Sequence, residues 1–194
     1  MRLGIVSDIH CNIAGLREAL SEMGPIDDLL CLGDVVDRNR FSNEVVGFLK
    51  DLGAYIILGN HDEAFLAGAR EGADPDLAAF LADQPTRREL TFGSKKVLMI
   101  HSTPWEPRGE YIFPHNEKLA LFGETDANYV LYGHTHAHLI RRIGEVLVIN
   151  PGTAGEGRDS SDGHHLSCAV LDTHADEARI LHFMDPRFPA SRAG

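Results

Sequence analysis

The sequence predicts an α/β fold in which two β-sheets pack together and helices flank them. The chain has 194 residues, 43% of them hydrophobic, which is enough to build the core of one globular domain. Its first sixty residues alternate apolar strands with amphipathic segments, the pattern of βαβ units and a parallel sheet. After residue 127, apolar strands follow one another with short turns and no helical segment between them. The change of pattern favours two sheets over one.

Three strand–helix pairs account for the first part of the chain. The strands RLGIVSD, DDLLCLGD and AYIILGN are followed by the amphipathic segments NIAGLREALSEM, NEVVGFLKDL and DEAFLAGA. Residues 72–90 predict a polar loop and a short helix, and KKVLMIHS predicts a further buried strand. YVLYGH, LIRRIGEVLVIN, LSCAVLD and ARILHFM predict the later strands. We expect one domain over residues 1–194, with a poorly ordered tail from about residue 186.

Composition narrows the class of protein. The formal charge of -11 argues against general nucleic-acid binding and against binding to an anionic membrane surface. The three cysteines form no C-x-x-C pair and indicate free thiols in a reducing compartment. We find neither an apolar run of about 18 residues, as a membrane span needs, nor a leader pattern at the N-terminus. These features predict a cytoplasmic location, and they leave the oligomeric state open, a homo-oligomer included.

Candidate functional residues follow the predicted strands. Five strands end in side chains that can bind a metal ion or transfer a proton: Asp8 and His10 in SDIH, Asp34 and Asp37 in GDVVD, Asn60 and His61 in GNHD, His101 in HS, and His134 and His136 in GHTH. One such ending is common, because Asp, Asn and Gly often begin turns. Five such strand endings in chain order are uncommon. Ligand sites of open α/β sheets form outside the carboxyl ends of the strands, so we expect these side chains at one rim.

The residue types indicate a metal centre. Oxygen and imidazole ligands without cysteine suit Mn, Fe, Zn, Ni or Mg. Seven of these residues are too many for one tetrahedral ion and fit two ions that share a carboxylate, for which Asp34 on a central strand is the natural candidate. The charge of two divalent ions exceeds that of Asp8, Asp34 and a bridging hydroxide. Such a site stays cationic and would attract a phosphate anion.

The series DIH, GDVVDR, GNHD, H and GHTH, from residue 8 to about residue 153, resembles the calcineurin-like metallophosphoesterase superfamily. HSTPWEPRGEYI (101–112) and NPGTAGEGRD (150–159) are similar to its small bacterial members. The resemblance implies a four-layer αββα fold and hydrolysis of phosphoester bonds by in-line attack of a metal-bridging hydroxide, with Mn the favoured metal. It implies one metal at Asp8, His10, Asp34 and His136, and a second at Asp34, Asn60, His101 and His134.

The same resemblance assigns roles in catalysis. It implies that His61 is the acid that protonates the leaving oxygen and that Asp37 holds its ring as an imidazolium; the alternative is an ordinary turn histidine. Arg38 matches the phosphate-clamping arginine of the protein-phosphatase branch, which small bacterial members often lack. The likeness to small bacterial members favours a phosphodiester substrate, whereas Arg38 favours a phosphomonoester, and a nucleotide fits either. We expect a small phosphoester or nucleotide substrate.

Other functions of the same fold stay open. The superfamily includes a retromer coat subunit that binds proteins without catalysis, but that subunit lacks the histidine equivalent to His61. A protein phosphatase or a nuclease is a further alternative, although residues 63–95 leave little room for a nucleic-acid-binding cap. We expect Asp62 to cap a helix, Cys11 to fill apolar space and His138 to lie at the rim. The sequence does not assign a role to Arg158. Three aromatic residues either line the substrate mouth or pack against the rest of the protein: Trp105, Tyr111 and Phe113.

Overall fold

The structure is a computed structural model that describes residues 1–106, 109–157 and 164–188. Within these residues, ten strands form two sheets of five. The strands are β1 (Arg2–Val6), β2 (Asp28–Cys31), β3 (Tyr55–Ile56), β4 (Arg87–Phe92), β5 (Lys95–Ile100), β6 (Tyr129–Leu131), β7 (Leu139–Ile143), β8 (Val146–Asn150), β9 (His165–Asp172) and β10 (Glu177–Met184). The helices are α1 (Ile13–Met23), α2 (Asn43–Asp51), α3 (Asn60–Ala67), α4 (Pro75–Ala82) and a 3-10 helix at Glu117–Glu124.

Both sheets are mixed. The first has the strand order β10-β9-β1-β2-β3, in which β1, β2 and β3 are parallel and β9 and β10 are antiparallel to their neighbours. The second has the order β4-β5-β6-β8-β7, in which β5, β6 and β8 are parallel and the edge strands β4 and β7 are antiparallel. The carboxyl ends of the parallel strands therefore meet along one rim of each sheet.

The two sheets bury their apolar faces against each other. Side chains such as Leu3 and Ile5 of β1 pack with Met99 of β5 and Tyr129 of β6 between the sheets. Helices α1 and α2 cover the other face of the first sheet through buried residues that include Leu16 and Leu49. The 3-10 helix covers part of the other face of the second sheet with Leu119 and Phe122. The predicted αββα layering is confirmed, and its last helical layer is thin.

Two details differ from the sequence expectation. In the segment 72–90, the short helix is present as α4, but Arg87–Phe92 forms the edge strand β4 in place of loop. Its charged residues hide the strand pattern, and charged edge strands are common because charge discourages pairing with a second chain. The run LIRRIGEVLVIN is a hairpin of β7 and β8, which turns at Gly144 with a φ of 58°.

The C-terminal expectation concerns residues that the structure describes only in part. The described chain ends at Phe188, and the rest of the tail lies outside the described residues. Up to Phe188 the chain is fixed to the rest of the domain, because Arg187 forms an ion pair with the buried Asp185 and donates a hydrogen bond to the carbonyl of Gly155. Among the described residues, we find no helix with the length and apolar character needed to cross a bilayer.

Candidate metal centre

The loops that follow the parallel strands carry an unusual backbone. Five of the seven predicted ligands have positive φ angles: Asp8 (53°), His10 (46°), Asp34 (52°), His134 (64°) and His136 (55°). The left-handed region is unfavourable for residues with a Cβ, so neighbouring structure must hold these residues there. Backbone hydrogen bonds join the loops, from Asp8 to the Gly33 carbonyl and from His10 to the Asp34 carbonyl, each 3.0 Å long. Such strain is concentrated at functional sites in proteins.

Asp8, His10 and His136 form the first cluster. The Nδ1 atom of His136 lies 2.9 Å from the Glu156 carbonyl and that of His10 lies 3.0 Å from a carboxylate oxygen of Asp37. These oxygens only accept, so both Nδ1 atoms carry the proton and a neutral ring keeps a lone pair on Nε2. Although neither Nε2 atom has a proton to donate to the other, the two lie 3.2 Å apart. Oδ1 of Asp8 lies 3.3 Å from the Nε2 atom of His136. Donor atoms that converge in this way fit a shared cation.

The second cluster contains Asp34, His101 and His134, with Asn60 beside them. His101 donates its Nδ1 proton to the Leu32 carbonyl over 2.7 Å. Its Nε2 atom faces two oxygens, Oδ2 of Asp34 at 3.3 Å and Oδ1 of Asn60 at 3.1 Å. The Nε2 atom of His134 is buried and has no hydrogen-bond partner among the described residues. The structure thus brings all seven predicted ligands together in two adjoining groups.

Asp34 lies between the two clusters. Its Oδ2 atom is 4.0 Å from Nε2 of His10 and 3.3 Å from Nε2 of His101. Its Oδ1 atom accepts a hydrogen bond of 2.8 Å from the backbone N–H of His61. A Cβ added at Gly59 would lie 2.2 Å from the same Oδ1 atom, so only glycine allows this close approach. The loop after β3 thereby fixes the orientation of the Asp34 carboxylate.

The electrostatics of the centre favour positive charge. Burial by itself would lower the pKa of His101, but the Asp34 carboxylate raises it to about 10. Burial would raise the pKa of Asp34, but the charge and hydrogen bond of His101 hold it well below the usual range. His134 has a pKa lowered to about 4, because of burial and then repulsion from His101. The ionised carboxylates and the neutral His134 are ligand forms that divalent ions bind, and a bound ion would displace the proton that Asp34 favours on His101, so these residues fit a metal centre.

The structure corrects the expected pairing of Asp37 with His61. Asp37 instead holds His10, and its second oxygen accepts from the guanidinium of Arg40 at 2.6 and 3.0 Å. Nδ1 of His61 is buried and has no hydrogen-bond partner among the described residues, and its ring lies edge-on to that of His10 at 4.8 Å. Burial lowers the pKa of His61, which disfavours the expected imidazolium. The reason for the correction is that both oxygens of Asp37 are already occupied.

The remaining predicted residues lie around the clusters. Arg38 is exposed. Burial is the main reason that the pKa of His61 is lowered; the charge of Asp34 opposes it, and the charges of His10 and then Arg38 add to it. Asp62 accepts hydrogen bonds of 2.9 Å from the backbone of Gly59 and of Val36, which confirms that it caps α3. His138 is exposed and packs edge-on against His182 at 4.6 Å. Arg158 lies outside the described residues.

Several supporting groups were not found by sequence reasoning. Arg40 could have been suspected, since an arginine three residues after an acid can pair with it. The carbonyls of Leu32 and Glu156, which orient two imidazoles, had no signal, because every residue carries a carbonyl. Tyr111, whose role the sequence left open between lining the substrate mouth and packing, stacks on the His134 ring with a centroid distance of 3.8 Å. These groups define the positions and tautomers of the candidate ligands.

Comparisons with known proteins agree with this geometry. A family model described as the calcineurin-like phosphoesterase superfamily domain matches residues 1–176. An uncharacterised protein of Methanocaldococcus jannaschii is 27% identical over 81% of this chain and 77% of its own length. A symmetrical bis(5'-nucleosyl)-tetraphosphatase of Thioalkalivibrio sulfidiphilus is 27% identical over 74% of this chain and 57% of its own length. The crystal structure of a metallophosphoesterase from Sphaerobacter thermophilus superposes with a TM-score of 0.79 at 26% identity, covering 95% of this chain and 89% of that one.

Proposed function

This chain belongs to the calcineurin-like phosphoesterase superfamily, and from that premise we propose that it is a phosphodiesterase that uses two divalent metal ions. The observation that carries the proposal is the position of Asp34. One of its carboxylate oxygens lies between the imidazoles of His10 and His101, which belong to different clusters. A carboxylate in that position can bridge two ions. We favour Mn, because the carboxylate oxygens of Asp8 and Asp34 and the amide oxygen of Asn60 suit it.

The two clusters supply a ligand set for each ion. We assign the first ion to Asp8, His10, Asp34 and His136, and the second to Asp34, Asn60, His101 and His134. Nε2 of His134 and Oδ1 of Asp8 are buried and accept no hydrogen bond from the described residues, which supports this assignment because buried polar atoms rarely lack one. When bound, such ions supply Lewis-acid charge to the phosphoryl oxygens and activate the attacking water.

Two further residues would act on the substrate itself. We assign to His61 the transfer of a proton to the leaving oxygen. An anionic phosphate beside its ring raises the pKa of an imidazole, and a protonated ring can then donate. Arg38 is exposed and its charge acts on His61, and its planar guanidinium would bind a phosphate oxygen. In this proposal Asp37 acts through His10, which it positions as a ligand.

The preference for a diester rests on the relatives. A relative named as a symmetrical bis(5'-nucleosyl)-tetraphosphatase supports a substrate whose phosphates carry an organic group at each end. A small phosphodiester or a nucleotide is therefore the substrate class that we propose. A phosphomonoester is the second candidate, favoured by Arg38, because a guanidinium suits the dianionic group of a monoester.

The test compares matched substrates on the Mn-loaded protein. We expect faster hydrolysis of bis-(p-nitrophenyl) phosphate than of p-nitrophenyl phosphate, and loss of both activities after treatment with a chelator. A dinucleoside tetraphosphate belongs in the same screen. A monoester hydrolysed much faster than every diester would overturn the diester proposal and make Arg38 a dianion clamp. No hydrolysis of any phosphoester would favour the non-catalytic scaffold.

A further inference from the structure

The segment that follows β10 contacts the loop that follows β8. Asp185 is 2% exposed, and its backbone N–H donates to the His164 carbonyl over 2.8 Å. The Nε and Nη2 atoms of Arg187 donate to the Asp185 carboxylate, at 2.6, 3.0 and 3.1 Å. The same Nη2 atom donates to the carbonyl of Gly155. A buried carboxylate is costly unless donors compensate its charge, so Asp185 holds the guanidinium of Arg187 in this position.

A second side chain donates to the same carbonyl. Asn12 follows β1, is buried, and caps helix α1 by accepting from the Gly15 N–H. Its Nδ2 atom lies 3.1 Å from the Gly155 carbonyl oxygen and 3.4 Å from each carboxylate oxygen of Asp185. Asn12 is two residues from the candidate ligand His10. These contacts join three loops, which follow β1, β8 and β10.

The backbone around Gly155 has little freedom to move. A Cβ added at Gly155 would lie 1.9 Å from the Ile9 carbonyl oxygen, so only glycine allows this close approach to the loop after β1. The N–H groups of Gly155 and Glu156 both donate to Oγ1 of Thr153, at 3.1 and 2.9 Å. The hydroxyl of Thr153 in turn donates to the Asp8 carbonyl over 2.8 Å. The peptide group between Gly155 and Glu156 is therefore held at its oxygen and at its nitrogen.

The next carbonyl along the chain orients a candidate ligand. The Glu156 carbonyl oxygen lies 2.9 Å from Nδ1 of His136 and accepts the proton of that nitrogen. Nε2 of the same ring then keeps a lone pair, as a metal ligand must, and lies 3.3 Å from Oδ1 of Asp8 in the first cluster. The position of the Glu156 carbonyl depends on the peptide group before it. Whatever holds the Gly155 carbonyl therefore also holds the His136 ring.

We propose that Asp185 and Arg187 are positioning residues for the ligand His136. This inference rests on the proposed function, in which His136 binds the first metal ion. Arg187, held by Asp185, fixes the Gly155 carbonyl, and the backbone carries this constraint to the carbonyl that holds the imidazole. Loss of a group that contacts a ligand directly usually costs about 10- to 100-fold in metal affinity. We expect a smaller effect here, because the two residues act through the backbone.

The tautomer of His136 in the metal-free protein tests the proposal without turnover. Proton–nitrogen NMR spectra of protein labelled with nitrogen-15 in its histidines distinguish a proton on Nδ1 from one on Nε2. The variant His136→Gln identifies the signals of this ring by their loss. In Arg187→Ala the ratio of the Nδ1-protonated form to the Nε2-protonated form should fall about 2- to 10-fold, the factor that corresponds to weakening one hydrogen bond.

Calorimetric titration of the metal-free protein with Mn is the second measurement. In Arg187→Ala one of the two sites should weaken, by about 3- to 10-fold, and the other should keep its native affinity. Arg187→Ala also leaves the buried Asp185 without its partner, which can destabilise the fold. The double variant Asp185→Asn with Arg187→Ala leaves no charge buried, and we expect it to show the same two changes.

Arg142→Ala is the matched control. Arg142 also pairs with an aspartate, Asp176, and donates to a backbone carbonyl, that of Glu145. This variant should keep the native tautomer ratio and both native Mn affinities.

A native tautomer ratio in Arg187→Ala and in the double variant would overturn the proposal, even if both proteins were less stable, because the segment would then only stabilise the fold. An equal weakening of both Mn sites would overturn it too, as would a similar fall of the ratio in Arg142→Ala. Failure of the proposed function is a separate result. The native protein would then hydrolyse no phosphoester, whereas the tautomer ratio is measured without metal and without substrate.

Discussion

The Nε2 atoms of His10 and His136 lie 3.2 Å apart, and an oxygen acceptor already holds the Nδ1 atom of each ring. The two rings are thus oriented by their outer nitrogens and converge through their inner ones. The acceptor for His10 is the Asp37 carboxylate, and that for His136 is the Glu156 carbonyl. Only the first acceptor is a side chain, so it is the one that mutation can test.

Asp37→Asn should weaken the binding of the first metal ion. The amide is neutral and holds the His10 ring less firmly, and the loss of such a supporting group usually costs about 10- to 100-fold in metal affinity. Calorimetric titration of the metal-free protein with Mn measures the change. Glu44→Gln, at the exposed pair with Arg17, should leave the affinity unchanged. If Asp37→Asn instead keeps the native Mn affinity and loses rate to an extent that depends on the leaving group, Asp37 supports His61 and not the metal ligand His10.

Asp34→Ala should remove both ions. Its carboxylate is the group that reaches both clusters, so neither ion keeps a full ligand set without it. Elemental analysis of the purified variant measures metal per chain, with His61→Ala as the comparison that should retain the native content. Two ions per chain in Asp34→Ala would refute the bridging assignment.

Asn60 and His61 are neighbours at the start of α3 and should respond differently to mutation. Asn60→Ala removes an oxygen ligand and should raise the Mn concentration needed for activity. His61→Ala should keep both ions, because no metal ligand is lost, while turnover falls by roughly 10² to 10⁴. The loss should be smaller for nitrophenolate, which needs little protonation, than for an alkoxide leaving group.

Metal content and turnover are therefore measured side by side, with one good and one poor leaving group. A His61→Ala protein with full metal and near-native turnover on the poor leaving group would end the acid assignment. His61 would then be a turn residue.

Gly59→Ala should disrupt the metal centre. The new Cβ would lie 2.2 Å from Oδ1 of Asp34 and 2.4 Å from the Asp34 backbone nitrogen, so the carboxylate has to move. We expect metal content to fall and the thermal midpoint to drop. Gly47→Ala is the control. The new Cβ would contact only the Leu77 side chain, at an ordinary 3.7 Å. Gly47 lies within helix α2, where alanine is more favourable than glycine by about 0.5–1 kcal/mol. Full metal content in Gly59→Ala would contradict the close approach.

Asp176 links the ends of both sheets, and its effect on stability should depend on pH. It accepts from the Tyr129 hydroxyl at 2.6 Å and pairs with Arg142 at 2.8 Å and Lys95 at 3.4 Å. The Tyr129 hydrogen bond is the main reason that the pKa of Asp176 is lowered; burial opposes it, and Lys95 and Arg142 also lower it. A carboxyl group whose pKa is lowered in the folded state stabilises the protein at pH values above its unfolded pKa of about 3.9. This stabilisation is lost as the pH falls through the folded-state pKa.

Asp176→Asn should therefore lower the stability at pH 7 by about 0.5–1 kcal/mol, a small value because the side chain is 38% exposed and screened. That corresponds to about 1–4 °C in thermal midpoint for a chain of this size. The difference from the native protein should shrink as the pH falls below about 4. Asparagine tolerates the positive φ of 58° at this position. A difference that stays constant down to pH 2.5 would refute the role of the carboxylate charge.

The sequence by itself was sufficient for the architecture and for the candidate ligands. Apolar runs of strand length, separated first by helical and then by turn segments, predicted two packed sheets, because burial of apolar faces depends on local periodicity. The candidate ligands could be found since each lies in the loop, turn or helix start that follows a parallel strand, and parallel strands bring their carboxyl ends to one rim. The strand β4 was missed because its charged residues interrupt the apolar pattern that the prediction depends on.

Only the tertiary structure decided which groups support those ligands. Asp37 is in contact with His10, 27 residues away in the chain, and the acceptors for His101 and His136 are backbone carbonyls. The stacking of Tyr111 on His134 also joins segments that are distant in sequence. The residue types determine which side chains can bind a metal ion or transfer a proton. The partner of each imidazole depends on how the loops meet, since every residue has a carbonyl and a carboxylate pairs with the neighbour that folding brings to it.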